Sequence, residues 1–156
     1  MLKKVVQQIW KRIVSRYNPD APVKYEGLYL PRPEQRFCSA HFKDDKFYVS
    51  SAENDAKRLV SLCGLKEDTP LLDIGSGKGR LATGLLRMFP GFESYTGIDV
   101  HRTSVEWCQK YITAYHSNFQ FIHLDAMNLR YNPTGAPVDE NFRLPFENNS
   151  FGLAYL

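Results

Sequence analysis

The chain has 156 residues, of which 43% are hydrophobic and 24% are charged, and its formal net charge at pH 7 is +3. These values are typical of a globular domain with a buried core, and they exclude a disordered chain. No apolar run approaches the roughly 20 residues that a membrane span needs, and so small a charge does not favour nucleic acid as a partner.

The first segment, residues 1–17, is basic and has apolar residues at helical spacing; its charged residues are Lys3, Lys4, Lys11, Arg12 and Arg16. This pattern predicts an amphipathic helix that packs on the domain or on a second copy, and contact with an anionic membrane surface is the alternative. Residues 18–49 are rich in proline and aromatic residues. We therefore assign residues 1–49 to an N-terminal helical and irregular extension, whose aromatic part forms either a lid or a loop over the core.

The cysteines and histidines show no pattern of a disulfide framework or a metal site. Cys38, Cys63 and Cys108 are far apart and form no CxxC pair, and no histidine stands at metal-ligand spacing from another ligand. Charge interrupts the apolar residues near the start, so no secretory leader is visible. We predict a cytoplasmic protein with reduced thiols and no metal.

From residue 50 onward, strand-like segments alternate with segments of helical periodicity. Strands are expected at 70–74, 94–100, 119–125 and 151–156, and helices at 50–64, 79–89 and 103–115. Ser50 with Glu53, and Thr103 with Glu106, are predicted capping boxes, and Gly64 is a predicted C-cap. The alternation predicts an α/β fold, a Rossmann-like and mostly parallel sheet of about four strands flanked by helices, over residues 50–156.

A glycine turn follows the first of these strands, with Gly75, Gly77 and Gly79 at alternate positions. The first three strands end in acids, namely Asp73, Asp99 and Asp125. Ligands of such sheets bind at the carboxyl ends of the strands, so we expect these three carboxylates to surround one cleft and to accept hydrogen bonds from hydroxyl and amino groups. Asp99 lies 24 residues after Gly75, the spacing at which an acid holds a ribose.

The turn does not fit a pyrophosphate. The third small residue of a dinucleotide fingerprint is replaced by Arg80, and Asp73 would repel a pyrophosphate but attract an ammonium group. A phosphate-binding loop is excluded because Gly79, not Ser or Thr, follows Lys78. A ligand with an adenosine end and an amino-acid end fits, and S-adenosylmethionine is such a molecule. A nicotinamide-dependent oxidoreductase is the less favoured alternative.

Four segments, in order, resemble the motifs of the class I S-adenosylmethionine-dependent methyltransferases, notably the small-molecule type 11 branch. They are LLDIGSGKGRLATGLL, YTGIDV, FIHLDAMNL and LPFENNSFGLAYL, and the resemblance covers roughly residues 50–156. It implies that S-adenosylmethionine is the cofactor and that a methyl group passes by in-line displacement to an acceptor, which we expect to be a small molecule. A non-catalytic cofactor-binding module or fragment is the alternative.

The resemblance also implies a role for each cofactor-binding residue. Asp73 would hold the methionine amino group, the backbone of Gly75, Ser76 and Gly77 would lie along the methionine and ribose, and Asp99 would take both ribose hydroxyls. Val100 would press on adenine, Asp125 would accept from its amino group, and the Ala126 N–H would donate to its ring. Tyr48 is a candidate to close over the methionine end, Lys78 and Arg80 are expected to be solvated, and no residue stands out as a catalytic base.

The sequence departs from the family pattern in two places. Gly152 follows Phe151 where the family usually has Asp, and four strands are found where the family has seven. We therefore expect the gene product to continue past Leu156, or a second copy or another chain to cover the edge of the fourth strand. The long insertion at 130–146 is either a surface loop or a roof over the site, with Tyr131 and Phe142 as candidate roof residues.

Overall fold

The computed structural model of the chain describes residues 20–37 and 39–156. The predicted amphipathic helix of residues 1–17 and the Cys38 thiol lie outside the described residues. The elements of the described part are β1 (Val23–Tyr25), β2 (Leu28–Leu30), α1 (Asp45–Cys63), β3 (Leu71–Ile74), α2 (Arg80–Met88), β4 (Tyr95–Asp99), α3 (Arg102–Cys108), β5 (Phe119–His123) and β6 (Leu153–Tyr155). A π-helical turn, Gln109–Thr113, extends α3, and two 3₁₀ turns lie at Pro33–Gln35 and Ala40–Lys43.

The main sheet has four parallel strands in the order β5-β4-β3-β6. Leu71 of β3 is in register with Tyr95 on one side and Leu153 on the other, and Tyr95 is in register with Phe119. All strands run the same way because helices or long connections carry the chain back between them. The predicted Rossmann-like fold with about four strands is confirmed.

A small antiparallel hairpin, β1–β2, precedes the sheet in a region for which we predicted only irregular structure. Glu26 and Gly27, between its strands, both have positive φ, at 47° and 84°. Such backbone angles favour tight hairpin turns, and Gly27 adopts them without steric cost. The Glu-Gly dipeptide is a weaker turn signal than Asn-Gly, and Pro22 and Pro31 obscured the short strands.

Both predicted capping boxes are wrong. Helix α1 begins at Asp45, and its N-cap is Asp44, which accepts the Phe47 N–H at 2.7 Å. Ser50 therefore lies inside the helix, where its hydroxyl donates to the Phe47 carbonyl. Helix α3 begins at Arg102 after His101, which leaves Thr103 in the first turn. The predicted C-cap is confirmed, because Gly64 has φ 70° and closes α1.

Small residues let α1 and α2 approach closely on one face of the sheet. A Cβ at Gly84 would lie 2.2 Å from the Ala52 carbonyl oxygen, so this crossing requires glycine. The core that the helices cover is aromatic, and Phe92, Tyr95 and Phe119 are fully buried in it. Among the described helices, none has both the length and the hydropathy that crossing a bilayer requires.

Gly152 has a packing reason to lack a side chain. A Cβ there would lie 2.9 Å from Thr69 Cγ2, and the Gly152 N–H donates to the Pro70 carbonyl at 2.9 Å. This hydrogen bond sets β6 against the start of β3.

Candidate functional site

The glycine turn connects β3 to α2 and is fixed to the neighbouring strand. The Gly75 and Ser76 N–H groups both donate to the Ile98 carbonyl, at 2.8 and 3.0 Å. Gly75, Gly77 and Gly79 have φ of 82°, 53° and 73°, a region that favours glycine. A Cβ at Gly79 would also lie 2.6 Å from Ile112 Cδ1. Gly79 therefore allows the close packing that the third small residue of a dinucleotide fingerprint, here replaced by Arg80, would allow.

Asp99, the last residue of β4, is held against this turn by both of its oxygens. Oδ2 accepts the Gly77 N–H at 2.7 Å, and Oδ1 accepts the His101 N–H at 2.7 Å. The carboxylate thus joins the glycine turn to the start of α3 and is half-buried. Each oxygen retains further acceptor capacity, so the group can still bind hydroxyls of a ligand.

A cavity of about 500 Å³ opens at this edge of the sheet. Six predicted residues line it, namely Tyr48, Gly75, Ser76, Gly77, Asp99 and Val100. The Ser76 side chain is buried, and its Oγ has no hydrogen-bond partner among the described residues. Buried polar groups in folded proteins are nearly always paired, so an unpaired hydroxyl beside a cavity favours a ligand there.

Asp73 lies behind the cavity rather than on its surface. The residue is 3% exposed, and its Oδ2 accepts the Tyr95 hydroxyl at 2.5 Å. Burial raises the pKa of Asp73 to about 6, while the Tyr95 hydrogen bond and the nearby Arg80 charge lower it. The carboxyl therefore titrates near neutral pH.

Asp125 and Ala126, the predicted adenine-binding pair, do not line the cavity. Asp125 is exposed and accepts the Asn132 side-chain amide at 3.0 Å, and the Ala126 N–H donates to the Leu124 carbonyl at 2.8 Å. Leu124 and Asn128 line the cavity nearby instead. The roles of Asp125 and Ala126 toward a ligand stay predictions.

The structure does not bring the three carboxylates together in one cleft, as we had expected. Asp73 is the third of four residues in β3, Asp99 is the last of β4, and Asp125 comes two residues after β5 ends. Side chains alternate along a strand, so acids at different offsets from the strand ends point to different places. Of the three, Asp99 alone lines the cavity.

Two cations that we predicted to be solvated are packed at the cavity. Lys78 is 9% exposed, and its Nζ lies 5.7 Å from the centre of the Trp107 ring. Burial lowers the pKa of Lys78. Arg80 forms an ion pair with Asp55 at 2.6 Å and lies over the Phe42 ring. The cavity therefore has basic groups in its wall. The partner of Arg80, Asp55, lies on α1.

A segment before α1 also lines the cavity, in the region for which the sequence predicted either a lid or a loop over the core. We call residues 31–37 and 39–44 the strap; of these, Pro31, Gln35, Arg36 and Phe37 line the cavity. The Arg36 side chain is fully buried and secures the strap. It donates to the Pro31 and Phe42 carbonyls at 2.9 Å each and pairs with Asp45 at 2.5 Å. A single arginine in a proline-rich segment carries no recognisable motif.

Three aromatic rings from separate parts of the chain meet at the cavity. Phe37 of the strap, His101 after β4 and Tyr131 of the insertion have ring centres 5.9 to 6.1 Å apart. Tyr131 thus lies where a roof residue was predicted, whereas Phe142 does not line the cavity. Both His101 ring nitrogens lie near hydroxyls, at 2.7 Å from Ser104 and 3.2 Å from Thr103.

Comparison with known families shows what the part of the chain that carries this site is similar to. A family model described as "Methyltransferase domain" matches residues 71–142, which include the glycine turn, Asp99 and most of the insertion. This part of the chain is therefore similar to a methyltransferase domain. The resemblance predicted from the motifs is confirmed at this level, and the type 11 branch stays a prediction.

Solved structures of a methyltransferase are distantly similar to the chain. They are the plantazolicin methyltransferase BpumL in complex with a monoazolic desmethylPZN analog and SAH, and the same enzyme with a pentazolic analog and SAH. Both are 22% identical, with TM-scores of 0.36 and 0.35, over 50% of this chain and 28% of the BpumL chain. The match thus spans less than a third of the length of BpumL.

The described residues contain no group of three or more His, Cys, Asp or Glu side chains that is placed to hold a metal ion. Cys63 is exposed and Cys108 is buried, and both are free thiols.

Proposed function

We propose that this chain binds S-adenosylmethionine in the cavity beside the glycine turn and transfers its methyl group to a small-molecule acceptor. The observation that carries the proposal is the Asp99 carboxylate, which is anchored at 2.7 Å to the Gly77 and His101 N–H groups and lines the cavity. An anchored acid at the end of the second strand of such a sheet is suited to hold the two hydroxyls of a ribose.

The residues around Asp99 fit the rest of this cofactor. Ser76 supplies an unpaired hydroxyl, and the backbone of Gly75 and Gly77 has no side chain to hinder close approach. A cavity of about 500 Å³ lies within the range of roughly 300–1,000 Å³ that small-molecule sites occupy. We therefore propose Asp99 as the ribose residue, the 75–77 backbone along the homocysteine part, and Val100 against adenine.

When bound, S-adenosylmethionine supplies a methyl group on a positively charged sulfur, which is already a good leaving group. The residues of the chain then serve to hold and orient the two reactants, a contribution of roughly 7–11 kcal/mol in favourable cases. Both nitrogens of His101 are occupied by hydroxyls, so we assign no catalytic base to the cavity.

A non-catalytic cofactor-binding module is the second candidate function. It is favoured because we assign no catalytic base to the cavity, whose His101 ring nitrogens both lie near hydroxyls. We further propose a cytoplasmic location, and we propose residues 50–156 as the cofactor domain, with the 1–49 extension contributing strap residues to its cavity.

Calorimetry and a transfer assay separate these functions. We expect the full chain to bind S-adenosylhomocysteine with micromolar affinity and NAD at least 100-fold more weakly. Incubation with S-adenosylmethionine labelled in the methyl group and a panel of small acceptors then tests for transfer. Binding without transfer to any acceptor supports the binding module, and binding of NAD in preference to S-adenosylhomocysteine refutes both forms of the proposal.

A further inference from the structure

The hydroxyl of Tyr95 is a buried polar group that the proposed function does not yet use. Tyr95 begins β4, at the opposite end of that strand from Asp99, and is fully buried. Its ring is immobilised by stacking on Phe119, with centres 5.1 Å apart and planes 24° from parallel, and by contact with Phe121 at 5.4 Å. The ring position therefore fixes where the hydroxyl points.

That hydroxyl donates to Asp73 Oδ2 at 2.5 Å, directly behind the glycine turn. Burial and the neighbouring carboxylate raise the pKa of the tyrosine well above its usual value, so the phenol keeps its proton and remains the donor. A donor locked by its ring restricts the rotation of the carboxyl that accepts from it. It also favours the ionised form of that carboxyl.

We propose that Tyr95 is a positioning residue for cofactor binding: it holds the Asp73 carboxylate in its ionised form behind the glycine turn, where the negative charge attracts the amino group of the cofactor across the wall of the cavity. This inference rests on the proposed function, since it names the part of the cofactor that the charge of Asp73 attracts. Tyr95 itself lies in the core and touches no ligand in this scheme.

Other charged and titratable groups also face Asp73 and set the background of its titration. Arg80 on α2 favours the ionised carboxylate, whereas Asp55 on α1 and Asp99 of β4 oppose it. The Tyr155 hydroxyl of β6 and the Cys108 thiol of α3 also interact with Asp73, and both stay neutral because burial raises their pKa values. Tyr95 is the group that donates a hydrogen bond directly, so its removal shifts the balance toward the protonated acid.

The sign of the pH effect follows from these groups. Asp73 has a pKa of about 6 and attracts an ammonium group only when ionised, so affinity for an amino-acid ligand falls as pH drops through 6. Tyr95→Phe removes a hydrogen bond to the charged form and raises this midpoint by about one pH unit. Affinity then falls about fivefold at pH 6 and less than about twofold at pH 7.5, relative to the unmodified chain.

The experiment measures binding of two ligands from pH 5 to pH 7.5 by calorimetry. S-adenosylhomocysteine carries the amino group, and 5′-deoxy-5′-methylthioadenosine has the same nucleoside without the amino-acid part. Tyr95→Phe should shift the midpoint for the first ligand and leave the affinity for the second unchanged within twofold. Tyr111→Phe, which also removes a phenol hydroxyl but lies outside the cavity, is the matched control and should shift neither.

Asp73→Asn is the second variant, and it should remove the pH dependence for S-adenosylhomocysteine over this range. An unshifted midpoint in Tyr95→Phe, or an equal loss for both ligands, overturns the inference. If Tyr95→Phe does not fold by circular dichroism, Asp73→Asn decides, because retained pH dependence in that variant also overturns it. Failure of the unmodified chain to bind either nucleoside would instead refute the proposed function.

Discussion

Replacing Asp99 by alanine tests the centre of the proposed site. The carboxylate accepts two backbone N–H groups, from Gly77 and His101, both at 2.7 Å. A hydrogen bond to a charged group contributes roughly 1.5–3 kcal/mol when buried. Asp99 is half-buried, so we take the low end and expect Asp99→Ala to lower the free energy of unfolding by about 2–3 kcal/mol.

The loss of ligand affinity in Asp99→Ala should be larger than the loss of stability can explain. Loss of two hydrogen bonds to the ribose, at about 1.4 kcal/mol each, lowers affinity for S-adenosylhomocysteine about 100-fold. Calorimetry measures this loss, and urea denaturation measures the stability of the same variant. Binding should be compared without urea, at a temperature at which circular dichroism shows that both proteins are folded.

Asp139→Ala is the matched control for this experiment. Asp139 also accepts the N–H of the second residue after it, from Asn141 at 2.8 Å, but it is exposed and does not line the cavity. We expect this variant to bind S-adenosylhomocysteine as the unmodified chain does. Equal affinity of the Asp99→Ala and Asp139→Ala variants would show that Asp99 does not hold the ribose.

Three further predictions concern the glycine turn, Asp73 and the residues that follow β5. Gly79→Ala should lower the free energy of unfolding by about 2–4 kcal/mol in urea, because the new Cβ meets Ile112 at 2.6 Å, whereas Gly64→Ala, with a similar φ but open space, should cost about 1 kcal/mol. The pKa of Asp73 is about 6 in the folded chain and 3.8 in the unfolded chain, so the free energy of unfolding should decrease by up to about 3 kcal/mol as pH rises from 4 to 6. Asp73→Asn should not show this decrease. If thermal denaturation gives the same pH dependence for both proteins, the burial of Asp73 is contradicted. Asn128→Ala should weaken S-adenosylhomocysteine binding more than Asp125→Asn does, since Asn128 lines the cavity; the reverse order in calorimetry would restore Asp125 as the adenine residue.

The sequence predicted the sheet and the Asp99 position for the same physical reason. Strands that are buried on both faces are apolar, so an acid that ends such a run can be recognised in the sequence, as in YTGID. The glycine turn was equally visible, since the positive φ values at Gly75, Gly77 and Gly79 permit few other residues. At these positions the local sequence pattern alone predicts where the residue lies in the fold.

Long-range packing decided what the sequence did not predict. Asp44 and Ser50 are both good cap residues, and the burial of Tyr48 and Val49 against the hairpin selects the earlier one. The position of Asp73 depends on a hydroxyl that arrives from the next strand, 22 residues later. Arg36 holds the strap by donating to backbone carbonyls. Every residue has a backbone carbonyl, so the sequence does not show which ones accept.

The strand order has a consequence for synthesis of the chain on the ribosome. Leu71 of β3 pairs with Leu153 of β6, which is made long after β4 has paired on the other side. Until β6 emerges, one edge of β3 has no neighbour, and pairings between such distant residues form slowly. The nascent protein therefore passes through a stage in which its glycine turn and Asp99 can already form while an open strand edge invites association with other chains.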